Sequence, residues 1–171
     1  RPPAPEVTGI RGPAPSAIKE SEPSQIAQSK ISFEEKESAF ETDKYIIVIS
    51  NVGGSIKEIR LKDYDNLKSK EPLELVRIKN PNDYIFAVSD PLARALPATI
   101  EYDVDKKDGM IICSARAGDF EVTKKYLLHN SKQYIELQLF IKNISGSNRE
   151  LSYLIIGGAG VTEASDQDKR F

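Results

Sequence analysis

Tryptophan is absent from this sequence, and cysteine, histidine and methionine occur once each in 171 residues. A single cysteine, Cys113, excludes an intrachain disulfide framework and any cysteine zinc site. Inside the apolar run MIIC it reads as a small buried hydrophobe, and such cysteine poverty is compatible with an oxidising compartment. The single histidine, His129, excludes every two-histidine arrangement. It stands at the end of a strand pattern beside the turn residues Asn130-Ser131, where an exposed polar side chain is expected. No stretch approaches the ~18–20 apolar residues needed to span a bilayer. Nor does an excess of cations appear: net charge is −2, and the lysine pairs Lys106/Lys107 and Lys124/Lys125 sit among carboxylates. Phosphate recognition draws on many clustered cations, so no nucleic-acid partner is expected. A signal-peptide pattern is missing and the sequence begins with Arg1 rather than Met. The expectation is an excised piece of a longer protein, with any membrane anchor lying outside it.

What is present divides the chain in two. Residues 1–36 hold Pro2, Pro3, Pro5, Pro13, Pro15 and Pro23 among Gly, Ser, Ala, Glu and Lys. Proline removes backbone donors and biases its predecessor toward extended geometry. With few large apolar groups to offset ordering entropy, the segment reads as a flexible tether. The stretch SAIKESEPSQIAQSK makes at most a helical turn or two, interrupted by Pro23. Residues 37–171 form the domain proper. A compact part of roughly 130 residues buries about two-thirds of its unfolded surface, enough for a core without staples.

Strand periodicity runs through that domain. YIIVIS (45–50) is apolar on both faces, as in a strand covered on both sides. Asn51-Val52-Gly53-Gly54 supplies turn chemistry with glycines free to take positive φ. In SIKEIRLK, Ile59 and Leu61 share a face while Ile56 falls on the other, which predicts a bulge near Lys57–Glu58. Further on, Ile100, Tyr102 and Val104 alternate with polar residues, and Asp108-Gly109 marks a hairpin turn into MIICSA. Phe120, Val122, Tyr126 and Leu128 occupy one face of the next strand. Ile135, Leu137, Leu139 and Ile141 do so in the one after, and LSYLII follows the turn at 143–148. Five strands joined by short polar turns predict an antiparallel meander. Each has one apolar face to cover, so two packed sheets are expected. No apolar stripe of 3.6-residue period is long enough for a major helix.

Candidate chemistry is sparse. Asp103, Asp105 and Asp108-Gly109 partly follow a calcium loop, but Lys107 occupies a ligand position and no bidentate glutamate closes the pattern; a solvated hairpin is expected. Gly157-Gly158-Ala159-Gly160 follows an apolar strand, yet a dinucleotide loop must open a helix within a parallel unit, so a glycine turn is the reading. Asn143-Ile144-Ser145 matches a glycan acceptor triplet that chance also produces. GxSxG, HExxH and GxxxxGK[ST] motifs do not occur. The residues therefore nominate no catalytic, cofactor-binding or metal-ligating group, and leave the binding surface unknown.

FETDKYIIVISNVGGSIKEIRLKDY (40–64) and DFEVTKKYLLHNSKQYIELQLFIKNISGSNRELSY (119–153) together resemble the large periplasmic domain of bacterial YidC-type membrane protein insertases. The likeness consists of a strand, a Gly-Gly turn followed by isoleucine, and a Leu-Lys-x-Tyr ending. Later come a Phe-x-x-x-x-x-Tyr strand, an alternating strand opened by Tyr134, and an Asn-x-Ser turn. It covers about residues 37–160, with 65–98 unmatched, and the Pro-rich segment fits a linker after the family's first transmembrane helix. The resemblance implies an all-β, antiparallel two-sheet β-supersandwich of galactose-mutarotase-like architecture, held on the periplasmic side of the bacterial inner membrane. It implies a non-catalytic accessory domain of a membrane-anchored insertase. Its implied partners are Sec translocon components of the SecDF type and nascent membrane proteins, without a cofactor. Fold kinship to mutarotases does not confer their chemistry. The rival reading is a carbohydrate-binding or mutarotase-like module, which wants aromatic platforms and clustered carboxylates.

Overall fold

A computed structural model describes residues 31–65, 71–91, 95–130, 132 and 134–158. Among these residues the regular structure is ten β-strands and one short 3-10 turn, Pro81–Asp83. The first sheet is a meander of β1 (Glu37–Glu41), β2 (Tyr45–Ser50), β3 (Ser55–Asp65) and β4 (Pro72–Arg77). The second is a meander of β6 (Asp103–Lys107), β7 (Met110–Ala117), β8 (Phe120–Leu128) and β9 (Ile135–Asn143). A two-stranded ribbon pairs β5 (Val88–Ser89) with β10 (Leu154–Ile155), and every pairing is antiparallel. The all-β sandwich read from the sequence is the architecture found.

Local chemistry sets the register. Asp108 and Gly109 both take positive φ, 51° and 76°, the twist a two-residue hairpin needs, and Lys107 pairs with Met110 across it. The expected bulge is present: Val48 pairs with Glu58 and Ile49 with Ile56, leaving Lys57 as the extra residue. That slip returns Ile56 to the core face with Ile59 and Leu61, since an odd insertion reverses strand parity. β2 is nearly covered on both faces, as its apolar run requires.

Two expectations change. The fifth strand of the second meander, LSYLII, does not pair with β9. Asn143 caps its own turn, donating to Ser147 O and accepting from Ser145 N, while Ile144 N and Arg149 both bond Asp119. The chain is thereby led away from β9 to the segment around Val88, where Phe86 N donates to Ile156 O and Ile156 N to Ala87 O. The sixth strand also starts later than its alternation suggests. Ile100 O accepts from Gly53 N and Tyr102 N donates to Asn51 O, so this stretch stitches the second sheet to the β2–β3 turn of the first.

Between the sheets lies one core that includes Tyr45, Ile47, Ile49, Ile56, Leu96, Ile111, Cys113, Val122 and Tyr126. Residues 31–36, on the tether side of residue 37, run alongside the first sheet: Ile31 and Phe33 pack against the core, and Asn51 bonds Glu34 O and Lys36 N. Tether residues 1–30 and domain residues 159–171 lie outside the described set.

Candidate functional site

The β2–β3 turn of the first sheet lies against Tyr102, Cys113 and Tyr126 of the second sheet and the stretch leading into it. Gly53 and Gly54 both adopt positive φ, 69° and 54°. A Cβ on Gly54 would stand 2.8 Å from Cys113 Cβ and from the Tyr102 ring, so only a bare backbone fits there. Tyr126 donates its hydroxyl to Gly54 O at 2.6 Å.

Beside this turn sits Lys124, fully buried. The alternation of β8 puts residue 124 on the inward face with Phe120, Val122 and Tyr126, so the expectation that this lysine sits among carboxylates is corrected. Its ammonium donates to Gly53 O (2.6 Å), Phe86 O (2.6 Å) and Ser55 Oγ (3.2 Å), and lies 5.1 Å from the centre of the Tyr102 ring. Three donors meet three acceptors, the stoichiometry an ammonium needs when water is excluded. Phe86 itself holds a positive φ of 63° to aim its carbonyl inward. Burial pushes the Lys124 amine down to about 7, and pushes the neighbouring Cys113 thiol up to about 12.

A second polar cluster pins residues 31–36 to the sheet. Glu35 Oε1 accepts from Ser50 Oγ (2.7 Å), the Tyr84 hydroxyl (2.7 Å) and Lys57 Nζ (3.2 Å), while Lys57 also pairs with Glu37. Burial opposes the Glu35 charge, but the bonds from Ser50, Tyr84 and Lys57 outweigh it and hold the carboxyl below its ordinary range. Burial likewise opposes the charge on Lys57, and its two carboxylate partners overcome that and raise its pKa.

The candidates nominated from sequence fall elsewhere. Asp103 and Asp105 sit on exposed β6 positions paired with Ser114 and Ile112, and Asp108 lies in the exposed hairpin turn. Gly157 and Gly158 are exposed, and the rest of that glycine turn lies outside the described residues. His129, expected to be exposed, is half-buried: its ring lies tilted against that of Tyr134, centres 4.5 Å apart, and Nε2 lies 3.8 Å from Glu136 Oε2. Cys113 is the buried hydrophobe expected. Asn143 is exposed, with its amide turned onto Ser147 O. No two of Asp108, His129 and Asn143 are brought into contact. Lys124 was legible only through strand parity; the Glu35–Tyr84–Lys57 cluster, drawn from three distant segments, left no local signal.

Large apolar side chains stand on the outside instead. Tyr64, Tyr134, Phe140, Tyr153, Leu154 and Ile155 are exposed, Leu154 at 52%. Shallow concavities on the outer face of the second sheet run past Glu121, Thr123, Phe140 and Lys142.

The model of the YidC periplasmic domain family matches residues 37–169. The chain belongs to this family. The match spans both segments that carry the sequence resemblance, together with the stretch 65–98 that the resemblance left unplaced. A YidC periplasmic domain lies on the periplasmic side of the membrane, as a domain of a membrane protein insertase. Among the described residues, no helix is long and apolar enough to cross a membrane.

Proposed function

We propose that this domain is a non-catalytic accessory module of its insertase, and that its work is contact. It engages Sec translocon components of the SecDF type and nascent membrane proteins, while the chemistry of insertion belongs to the membrane part. One observation carries this reading: Lys124 and Cys113 are closed off inside, while six large apolar side chains stand on the surface. The Lys124 ammonium is saturated by three acceptors in a sealed interior, and the Cys113 thiol is raised to about 12 and stays neutral at periplasmic pH. The surface meanwhile presents Tyr153 followed by Leu154 and Ile155 of β10. Exposed aromatic and aliphatic side chains are the usual anchors of protein contacts. The tether before Ile31, as a spacer from the bilayer, would raise the local concentration of membrane-bound partners.

The test is deletion of residues 37–160 from a full-length insertase carrying this domain, reconstituted in vesicles. Insertion of a small substrate is expected to survive while crosslinking to Sec components falls. Loss of insertion with the membrane part still folded would assign the domain mechanistic work. Tight binding of a simple sugar by the isolated chain would favour the mutarotase-like reading.

A further inference from the structure

Residues 31–36 lie ahead of the first strand and ahead of the residues the family model matches, yet they are fastened to the first sheet. Ile31, Phe33 and Glu35 are half-buried while Ser32, Glu34 and Lys36 are exposed, the alternation of an extended segment laid on a surface. Two residues do the fastening. Asn51, buried at the head of the β2–β3 turn, grips the main chain three times. Its N donates to Lys36 O (2.9 Å), its Oδ1 accepts from Lys36 N (2.7 Å), and its Nδ2 donates to Glu34 O (3.1 Å). Glu35 supplies the side-chain hold, and its three donors, from Ser50, Tyr84 and Lys57, all fall on one oxygen, Oε1.

The two holds differ in what undoes them. The Asn51 bonds join neutral groups and are indifferent to pH. The Glu35 bonds need the carboxylate, because an oxygen that serves three donors, one of them an ammonium, does so by its charge. Lys57 on β3 and Tyr84 after the 3-10 turn touch Glu35 directly. Glu37, at the start of β1, reaches it through Lys57, and Glu101 through Asn51 Nδ2 at 3.3 Å. Glu34 and Lys36, on the segment itself, are exposed. Burial opposes the charge on Lys57, but its carboxylate partners raise it, so it stays an ammonium; the Tyr84 hydroxyl, raised chiefly by burial, stays neutral. The proton on Glu35 is therefore what decides this hold, and Lys57 already has Glu37 as its other partner. Detachment also has a built-in end. From Glu37 onward the chain is held by the β1–β2 ladder, Glu37↔Ser50 to Glu41↔Ile46, which uses none of these bonds.

We propose that residues 31–36 are a releasable strap with Glu35 as its latch: docked, they bring the chain out of the domain beside the β2–β3 turn, and on protonation of Glu35 they detach as a unit while both sheets stay paired. Six residues paid out from Glu37 lengthen the domain's reach by about 20 Å. The strap thus sets how far the domain stands from whatever precedes Ile31. This goes beyond the contact reading and holds whichever partner the domain engages, because it is read on the isolated chain.

Two measurements on the 171-residue chain decide it. The sequence has no tryptophan, so Phe33→Trp gives a single emission signal from the strap. As pH falls from 7 to 3 that emission should shift to the red and become open to acrylamide quenching, while far-ultraviolet circular dichroism keeps its β signal. Adding Glu35→Gln should give the shifted emission already at pH 7. Glu37→Gln, which leaves Lys57 to Glu35, should keep the acid shift. The second measurement is native-state hydrogen exchange of the unaltered chain in low urea. The Lys36 and Asn51 amides, which bond across the strap, should share one opening with little urea dependence, while the slowest amides of β7 and β8 follow global unfolding. Glu35→Gln should raise that strap opening about tenfold or more. Strap amides that open only with the global transition overturn the proposal, as does an opening that Glu35→Gln leaves unchanged. So does an emission that shifts only together with loss of the β signal, or not at all by pH 3.

Discussion

Replacing Lys124 by methionine, which keeps the stem and removes the charge, should change stability with a sign set by pH. The amine at about 7 in the folded chain stands against an ordinary value of 10.5. That depression is equivalent to ~5 kcal/mol by which burial disfavours the ammonium. The loss on the other side is smaller. Gly53 O keeps the Ser55 hydroxyl as donor at 2.9 Å, so Phe86 O is the acceptor most exposed to being left bare. A bare buried carbonyl costs ~1–3 kcal/mol. At pH 6, where both folded and unfolded chains carry the charge, Lys124→Met should therefore stabilise by ~2–4 kcal/mol, as replacement of buried charges by apolar groups often does. Above pH 7 the folded lysine releases its proton while the unfolded chain keeps it, so the unaltered protein gains stability as pH rises. By pH 8.5 the advantage of methionine should shrink by ~2 kcal/mol. The window stops there because the Cys113 thiol, raised by burial, begins to work in the opposite direction near its ordinary value. Urea unfolding of both proteins at pH 6, 7 and 8.5 reads the difference directly. A difference that does not move with pH would show that the three acceptors hold the ammonium at an ordinary pKa, and would refute the reasoning.

Four further outcomes follow from other contacts of the fold. Gly54→Val combines left-handed backbone strain with a Cβ 2.8 Å from Cys113 and Tyr102, and should cost ~2–5 kcal/mol. Gly118→Val, with φ of 53° but open space, should cost only the strain, ~1–3 kcal/mol, in the same urea assay. The Glu35 carboxyl is held low in the folded chain, so its stabilisation is present above the ordinary carboxylate range and lost as pH falls through its folded value. Glu35→Gln should accordingly flatten the decline in melting temperature between about pH 5 and 3. Trimming the chain to residue 37 removes the packing of Ile31 and Phe33 and the Glu35 bonds, and should lower the melting temperature by several degrees in calorimetry.

How much of this was legible beforehand depended on the range of the interactions. Strands, the Asp108-Gly109 hairpin and the Lys57 bulge follow from parity and turn chemistry within a few residues, and sequence alone placed them. The Gly-Gly turn was legible as a turn, but not as the point where Tyr102 and Cys113 press on it from another sheet. LSYLII was misplaced because its apolar pattern states that it pairs, not with what. Its partner around Val88 lay in the stretch where no pattern stood out, and Asn143 and Asp119 decided the path. Lys124 was passed over because lysine is presumed solvated, although its position between Val122 and Tyr126 fixed it inward. Clusters such as Glu35–Tyr84–Lys57 assemble from segments up to 49 residues apart and leave no local trace.

The central claim is that the outward apolar surface of this YidC periplasmic domain is a contact surface for translocon components. A photo-activatable crosslinking residue placed at Leu154 in an intact membrane-embedded insertase tests it most directly, with one at Lys107, in the charged β6 strand, as comparison. The account predicts adducts to Sec components from Leu154 and few from Lys107. Equal yields from both positions, or none from Leu154 while the complex is intact, would contradict it.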